Sequence, residues 1–359
     1  MQRVYNFSPG PATLPIEVLE QIQKDLFNWH DLKLSIMELP HRSSIFSEIV
    51  EGSQFLIRKL LNIPKHYQVL FLAGGATMQF SAIPLNILPS GKKAAYITTG
   101  IWSEKAFKLA QPYGEVVEIK GVKLENGQNY LPFIEQDLDD YDYIYYTSNE
   151  TINGLQYHEL PVNTRVPLVC DMTSSIMSEP VDIDRYGIIF ASAQKNLGQA
   201  GITIVIVRDD LLNQAQPLTP SVVNYQQQAA ANSLLNTPPT FAWYVCYLML
   251  QWIDCQGGVP AMQQRVKMKA DKIYQSIDNH PIYQSPIHSS ARSVLNMPFK
   301  LTSEALEKNF LNQAEQKGLV NLKGHSLIGG VRPSVYLGMP MAGVDALVEF
   351  MNQFARDRK

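Results

Sequence analysis

Strand-like apolar runs alternate with helical segments from about residue 66 to residue 210, and this alternation restricts the fold more than any other feature. Because strands that alternate with helices form βαβ units, it predicts a mostly parallel sheet covered by helices, an α/β fold. The most apolar helical run, residues 241–253, contains Gln251 and is too short to cross a bilayer. We therefore expect a buried helix there and no membrane association.

A single lysine, Lys195, lies among small residues and amides between two apolar runs, residues 186–190 and 202–207. A lysine between two buried strands is costly unless it has a task, because burial lowers the pKa of an ammonium group. Uncharged lysine forms an imine with a carbonyl, and the pattern suggests the aldehyde of pyridoxal 5'-phosphate. The alternative is a surface lysine in a β-hairpin loop.

Asp171 follows the mainly apolar run 166–170 and precedes a group of hydroxyl residues. The run predicts a buried strand with Asp171 at its carboxyl end, where open α/β sheets bind ligands. Pyridoxal phosphate needs a carboxylate against its pyridine nitrogen, which keeps the ring protonated as an electron acceptor. The alternative is that Asp171 caps a following helix.

The glycine pair Gly74–Gly75 follows the apolar run 69–73 and precedes a helical segment from Ala76 onward. A turn of this kind exposes backbone N–H groups to a phosphate or another anion. The pair matches neither G-x-G-x-x-G nor the P-loop pattern, so an ordinary strand-to-helix turn is the alternative.

Composition excludes several classes of function. The 359 residues carry a net charge of −3, which argues against nucleic-acid binding. The three cysteines show no metal or disulfide spacing, and their sparse, odd number predicts a cytoplasmic protein. No signal peptide is expected, since polar Gln2 and Arg3 open the chain. The chain also lacks the H-E-x-x-H and G-x-S-x-G motifs, which argues against zinc and serine hydrolases.

The helical segment from 239 to 254 stops at the glycine-containing stretch 257–260, and a second helix continues to about Asn279. We place the domain boundary at this break, which predicts a large domain over 16–258 and a small C-terminal domain over 259–359. Within the small domain we expect a strand at 293–297 and helices at 303–317 and 344–356.

Short motifs occur in a characteristic order along nearly the whole chain. They are residues 7–12, 41–43, 74–80, 99–103, 148–154, 193–198, 236–240, 324–325 and 329–336. With these motifs the chain resembles the phosphoserine aminotransferase family, class V aminotransferases of pyridoxal-phosphate fold type I. The resemblance implies a large cofactor-binding domain and a smaller α/β domain that packs with the N-terminal segment 1–15. It also implies a homodimer with shared active sites and no metal.

The resemblance assigns cofactor contacts residue by residue. Lys195 is expected to bind the cofactor as an imine and to move a proton, and Asp171 to pair with the pyridine nitrogen. Trp102 is expected to stack on the ring, unless it is a core tryptophan, and Thr151 to bond near the ring hydroxyl or Asp171. Phosphate contacts are expected from Ala76, Thr77, Gln194 and, across the dimer, Asn236 and Thr237.

The implied reaction transfers an amino group from L-glutamate to 3-phosphohydroxypyruvate, giving O-phospho-L-serine and 2-oxoglutarate in serine biosynthesis. The family also implies 4-phosphohydroxythreonine as a product in pyridoxine biosynthesis. Arginine suits such anions because its planar fork binds carboxylate or phosphate through two hydrogen bonds. Arg332 is expected at the substrate α-carboxylate, and His41, Arg42 and His325 at the remaining substrate contacts. A surface salt bridge is the alternative for each arginine.

One departure from the family concerns the distal anion of the substrate. The family usually has an arginine after the Gly-His of the motif at 324–325, whereas this chain has Ser326. We expect Arg42 and His41, with a nearby lysine such as Lys323, to compensate. The alternative is a related fold type I aminotransferase with a less charged oxo-acid acceptor.

Two other functions are known alternatives for a scaffold of this kind. A cysteine desulfurase needs a mobile cysteine that reaches the cofactor, whereas Cys246 and Cys255 fall on one predicted helix. A non-catalytic interaction protein would not need Lys195, Asp171 and Trp102 together. Both are disfavoured.

Overall fold

The computed structural model describes residues 3–358. The α-helices are α1 Ile16–Asp25, α2 Ser44–Leu61, α3 Ala76–Ile87, α4 Ile101–Ala110, α5 Tyr225–Ala230, α6 Thr240–Cys255, α7 Gly258–Asn279, α8 Glu304–Gln316 and α9 Met341–Arg356. The strands are β1 Tyr5–Asn6, β2 Tyr67–Ala73, β3 Lys93–Thr98, β4 Glu115–Lys120, β5 Lys123–Glu125, β6 Gln128–Tyr130, β7 Tyr143–Thr147, β8 Asn149–Glu150, β9 Leu155–Gln156, β10 Leu168–Asp171, β11 Tyr186–Ser192, β12 Ile202–Arg208, β13 Tyr283–Gln284, β14 Lys300–Leu301 and β15 Leu319–Val320.

A seven-stranded sheet in the order β2-β12-β11-β10-β7-β3-β4 forms the centre of the molecule. The β11–β10, β10–β7, β7–β3 and β3–β4 pairs are parallel. Only β12 within this sheet runs against its neighbours, pairing antiparallel with β11 and with β2. The predicted α/β fold with a mostly parallel sheet is therefore confirmed.

Both faces of this sheet are buried except at the edge strand β4, which explains why the other strands read as nearly continuous apolar runs. In β2, Val69 and Phe71 belong to one core cluster, whereas Leu70 and Leu72 belong to a second. The first cluster includes α2 and α6, and the second includes α3. The segment 241–253 lies within α6 and packs in the first core, as predicted.

A third core cluster lies in the C-terminal part of the chain, among α7, α8 and α9. The N-terminal segment joins it, because β1 pairs in parallel with β15 and Phe7 is fully buried in this cluster. The long helix α7 serves both regions. Its first half contributes Val259 and Met262 to the core beside the sheet, and its second half contributes Ile273 and Ile277 to the third cluster.

The predicted helix at 303–317 is confirmed as α8, and Ser303 caps it by accepting a hydrogen bond from the Leu306 N–H. The last helix begins three residues earlier than predicted, at Met341. The predicted strand at 293–297 is wrong. The Ser293 hydroxyl accepts hydrogen bonds from the N–H groups of Leu295 and Asn296, which turns the backbone locally. Within 293–297 the structure has one isolated bridge, between Asn296 and Ser334.

Candidate active site

A cavity of about 270 Å³ opens at the carboxyl ends of β7 and β10. Open α/β sheets bind ligands at this edge, because the loops that follow the strands converge there. The connection from β11 to β12 and the C-terminal segment around Arg332 complete the walls. Among the predicted site residues, the cavity is lined by Ala76, Thr77, Trp102, Thr151, Asp171, Gln194, Lys195, His325 and Arg332.

Lys195 lies in the connection between β11 and β12, so the predicted position between two buried strands is confirmed. Burial lowers the pKa of Lys195 to about 8, although the negative charges of Asp171 and Glu150 raise it again in part. The Lys195 Nζ lies 5.8 Å from the centre of the Trp102 ring. An amine with this pKa is partly uncharged near neutral pH and can therefore act as a nucleophile or a base.

Asp171 is the last residue of β10 and is 5% exposed, as its sequence position predicted. Its Oδ1 accepts a hydrogen bond from the Thr173 N–H at 2.8 Å, which holds the carboxyl group in the cavity wall. Burial raises the pKa of Asp171, while the Thr173 contacts and the charge on Lys195 lower it. A cation opposite this carboxylate would favour the ionised form.

Trp102 lies in the first turn of α4, and its Nε1 donates a hydrogen bond to Thr151 Oγ1 at 2.9 Å. The Glu150 carboxylate holds this turn: it accepts from the N–H groups of Trp102 and Ser103 at 3.1 and 2.8 Å, and from Ser103 Oγ at 2.6 Å. Glu150 is fully buried, and a Cβ at Gly100 would lie 2.9 Å from its Oε2. The position of the indole is thus set by a buried acid.

The sequence interpretation gave Glu150 no role, although it lies in the motif 148–154. The sequence signal that could have identified Glu150 was an acid shortly after the apolar run that forms β7. A second residue without an assigned role is Asn196. Its amide donates to the carbonyls of Ser174 and Ile176, both at 2.9 Å, and its Oδ1 accepts from the Leu337 N–H. These bonds fix the chain directly after Lys195.

The end of the cavity beside α3 fits a phosphate group. Gly75 is the N-cap of this helix of 12 residues, and no side chain among residues 3–358 caps it. The Met78 N–H donates to the Gly75 carbonyl, which leaves the N–H groups of Ala76 and Thr77 available to an anion. A Cβ at Gly75 would lie 3.7 Å from Ser192 Oγ, and that hydroxyl is hydrogen-bonded to Gln194 Oε1. Neutral donors therefore gather around one helix N-terminus.

Arg332 approaches the cavity from the C-terminal part of the chain and is 5% exposed. Its Nη1 donates to the Thr151 carbonyl oxygen at 3.3 Å, and its Nε has no hydrogen-bond partner among residues 3–358. Burial lowers the pKa of this guanidinium below its ordinary value. A bound anion would offset the cost of burying this charge.

Four predicted residues do not reach the cavity of the same chain. Arg42 and Thr237 are exposed, and His41 and Asn236 are partly buried, but none of them lines it. Asn236 instead accepts a hydrogen bond from Gln228 Nε2 at 3.2 Å. The sequence interpretation had assigned Arg42, Asn236 and Thr237 to the site of a second subunit.

The loop after Gly324 differs from the expectation for the distal anion. His325 lines the cavity, whereas Ser326 is exposed and does not. Lys323, which was expected to help compensate for Ser326, does not line the cavity of its own chain. Lys323 is exposed and lines a separate surface groove beside α8 instead, with Glu307 and Lys308 among its neighbours.

In residues 3–358, no helix combines the length and apolar character that a membrane crossing requires. The same part of the chain contains no group of three or more histidine, cysteine, aspartate or glutamate side chains suited to a metal ion.

Comparison with known proteins identifies the family of the chain. The family model for class-V aminotransferases matches residues 4–347. The chain is 49% identical over 356 residues to a phosphoserine aminotransferase of Acinetobacter baumannii, an alignment that covers 99% of each chain. It is 45% identical over 361 residues to a phosphoserine aminotransferase of Bacillus cereus, with both chains fully covered.

Solved structures show the same relationship. The phosphoserine aminotransferase of Bacillus circulans subsp. alkalophilus superposes with a TM-score of 0.95 at 40% identity, covering 100% of both chains. A PLP-bound phosphoserine aminotransferase of Trichomonas vaginalis gives a TM-score of 0.92 at 37% identity, covering 97% of this chain and 99% of the other. With full-length relatives of this similarity, the chain belongs to the phosphoserine aminotransferase family of class-V aminotransferases.

Proposed function

We propose that this chain is a phosphoserine aminotransferase that uses pyridoxal 5'-phosphate. It would transfer the amino group of L-glutamate to 3-phosphohydroxypyruvate and release O-phospho-L-serine and 2-oxoglutarate. One observation carries the proposal: Lys195, Asp171 and Arg332 line a single cavity at the carboxyl end of the sheet. An amine, a carboxylate and a guanidinium are the groups that this chemistry requires of the protein.

Bound pyridoxal phosphate supplies an aldehyde and a ring that accepts electrons from the substrate carbon. Lys195 would hold it covalently through Nζ and, once displaced by the substrate amine, would carry a proton at that nitrogen. The pKa of about 8 suits both tasks, because the amine then gains and loses a proton near neutral pH.

Asp171 would face the ring nitrogen and hold a proton there by its negative charge. Its hydrogen bond from the Thr173 N–H orients the carboxylate without neutralising it. Trp102 would cover one face of the ring, since its indole is fixed at one end by Thr151 and at its backbone by Glu150. These contacts orient the reacting group before substrate arrives.

Arg332 would bind the substrate α-carboxylate. Its Nε is buried and has no partner within residues 3–358, so a carboxylate could accept a hydrogen bond from it. The bond from Nη1 to the Thr151 carbonyl fixes the plane of the guanidinium. His325 lines the same cavity and would contact the remainder of the substrate.

We further propose a homodimer in which a second copy contributes His41, Arg42, Asn236 and Thr237. Large apolar side chains are exposed close to these residues in the chain: Met37 is 59% exposed, and Leu235 is 37% exposed. Exposed apolar residues beside polar ones are typical of an interface between subunits.

The three cysteines are free, which is in keeping with a reducing, cytoplasmic location.

We retain the predicted domain division, with a large domain over 16–258 and a small domain over 259–359 joined by the N-terminal segment. Its support is the separate core cluster around α8 and α9 and the pairing of β1 with β15. Residues 1, 2 and 359 of these ranges lie outside the described part of the chain.

The substrate proposal is tested by half-reaction kinetics. The protein is converted to its pyridoxamine form with glutamate, and the return of the pyridoxal absorbance is followed with a panel of oxo acids. We expect 3-phosphohydroxypyruvate to react most efficiently, ahead of hydroxypyruvate and pyruvate, which lack the phosphate. Equal or greater efficiency with an unphosphorylated acid would contradict the proposed acceptor and favour the less charged alternative.

The shared site is tested by mixing two inactive variants, Lys195→Ala and Arg42→Ala. In a hybrid dimer one site would combine an intact Lys195 with an intact Arg42, so part of the activity should return. Light scattering and a differential tag would establish that hybrids form. Hybrids that form and stay inactive would show that Arg42 does not act across the interface.

A further inference from the structure

Lys105 is a cation at the edge of the cavity that the reaction scheme above does not use. It lies on α4, and its Nζ donates a hydrogen bond to Thr77 Oγ1 at 3.1 Å. The same Nζ lies 5.6 Å from the centre of the Trp102 ring. Lys105 is partly buried and forms no salt bridge within residues 3–358.

The phosphate end of the cavity lacks a full positive charge of its own. Its candidate donors are the N–H groups of Ala76 and Thr77, the side-chain amide of Gln194 and, from the second copy proposed above, Asn236 and Thr237, all of them neutral. A phosphate monoester carries a charge between −1.5 and −2 near pH 7. A helix N-terminus contributes only about half a positive charge. Lys195 is assigned to the aldehyde, so the phosphate needs another cation.

We propose that Lys105 supplies this charge and is a binding residue for the phosphate ester of the cofactor. The Thr77 hydroxyl accepts a hydrogen bond from Lys105 and keeps its own proton, which it would donate to a phosphate oxygen. The Thr77 side chain would then lie between the ammonium group and the phosphate. The proposal rests on the proposed function, because it presumes that pyridoxal phosphate binds in this cavity.

The placement of Lys105 follows from the anchoring of α4. Lys105 is three residues after Trp102, so both side chains lie on one face of the helix. The first turn of that helix is fixed by the buried Glu150. Lys108, one turn further, is exposed, and its charge acts on Glu118 instead. Lys108 is therefore a matched control on the same helix.

The experiment measures cofactor affinity rather than turnover. Lys105→Met and Lys108→Met are prepared as full-length chains in the Lys195→Ala background, where binding is non-covalent and reversible. Dissociation constants for pyridoxal phosphate and for pyridoxal, which lacks the phosphate, are obtained by equilibrium dialysis. We expect Lys105→Met to weaken pyridoxal phosphate binding roughly ten- to a hundredfold and to leave pyridoxal binding unchanged.

A second readout is the ³¹P resonance of the bound cofactor in the chain that retains Lys195. A neighbouring ammonium favours the dianion, so Lys105→Met should raise the apparent pKa of the bound phosphate, and Lys105→Arg should restore it. Equal affinities for Lys105→Met and Lys108→Met, with an unchanged phosphate pKa, would overturn the proposal. A protein that binds pyridoxal phosphate through Lys105 but transaminates no oxo acid would instead refute the proposed function alone.

Discussion

The two ends of the active-site cavity differ in how firmly the protein holds them. At the cofactor end, Asp171 is buried at the end of a sheet strand, and backbone and side-chain hydrogen bonds hold it and the turn that carries Trp102. At the other end, the loop 324–330 carries His325 at the cavity and exposes Ser326 and Leu327, the latter at 71%.

The groups that would carry out the reaction therefore lie at one end of the cavity, and those that would select the substrate lie at the other. Asp171 and Lys195, the groups that would act at the reacting end of the cofactor, belong to one chain and lie in the cavity wall, so they are oriented before any substrate binds. The groups that would recognise the distal anion are exposed or lie outside the cavity of that chain, as Arg42 does. We therefore expect substitutions at the cofactor end to abolish the reaction and substitutions in the loop to adjust its substrate preference.

The largest effect is expected for Lys195→Ala at the cofactor end. Without the amine no covalent attachment and no proton transfer at Nζ remain, so turnover should fall by about a thousandfold or more. Borohydride reduction followed by peptide mass spectrometry should fix the cofactor on Lys195 in the unmodified protein and nowhere in the variant. A label on another lysine would show that the cofactor binds elsewhere than in the connection between β11 and β12.

Asp171→Asn is expected to have the next largest effect. Asparagine keeps the oxygen that accepts from the Thr173 N–H, but it has no charge to hold the ring nitrogen protonated. Turnover should fall by roughly a hundredfold or more, with a melting temperature close to that of the unmodified chain. Glu179→Gln is the matched control, because Glu179 lines a separate cavity. Near-normal turnover in Asp171→Asn would assign this acid a structural role only.

The pKa of Lys195 predicts a smaller effect, in the pH dependence of cofactor uptake. Only the uncharged amine attacks an aldehyde, and burial lowers the pKa of this amine to about 8. Uptake by the cofactor-free protein, followed by absorbance, should therefore accelerate about fivefold from pH 7 to pH 8 and level off above pH 9. Ser326→Arg should leave this profile unchanged. A rate that still rises steeply between pH 9 and pH 10 would mean that Lys195 keeps an ordinary pKa.

The smallest effect is expected for Ser326→Arg, because this side chain is exposed and is not part of the cavity wall. A longer, charged side chain beside His325 should lower the KM for 3-phosphohydroxypyruvate at most about tenfold and leave that for pyruvate unaltered. Steady-state kinetics with both acids measures this. Improvement with both acids, or with pyruvate alone, would show that the loop does not select for the distal anion.

Local patterns in the sequence were sufficient to predict the central sheet and its helical cover. The apolar runs around Asp171 and Lys195 predicted three strands and the edge of the sheet at which both residues lie, since burial on both faces leaves a continuous apolar signature. The family motifs then identified most of the cavity wall, including Trp102 and Arg332.

Hydrogen bonds of polar side chains, some local and some between distant segments, decided the features that the sequence patterns did not predict. The hydrogen bonds of the Ser293 hydroxyl form a turn where a strand was predicted. Lys323 lines another groove because its segment packs beside α8. Glu150 holds the Trp102 turn from a position 48 residues away in the chain. The apolar periodicity of a segment reports its own burial, whereas the partners of a buried polar group depend on which distant segments pack against it. The sequence alone therefore determined the sheet and its reactive edge, and the tertiary structure decided which charges meet there.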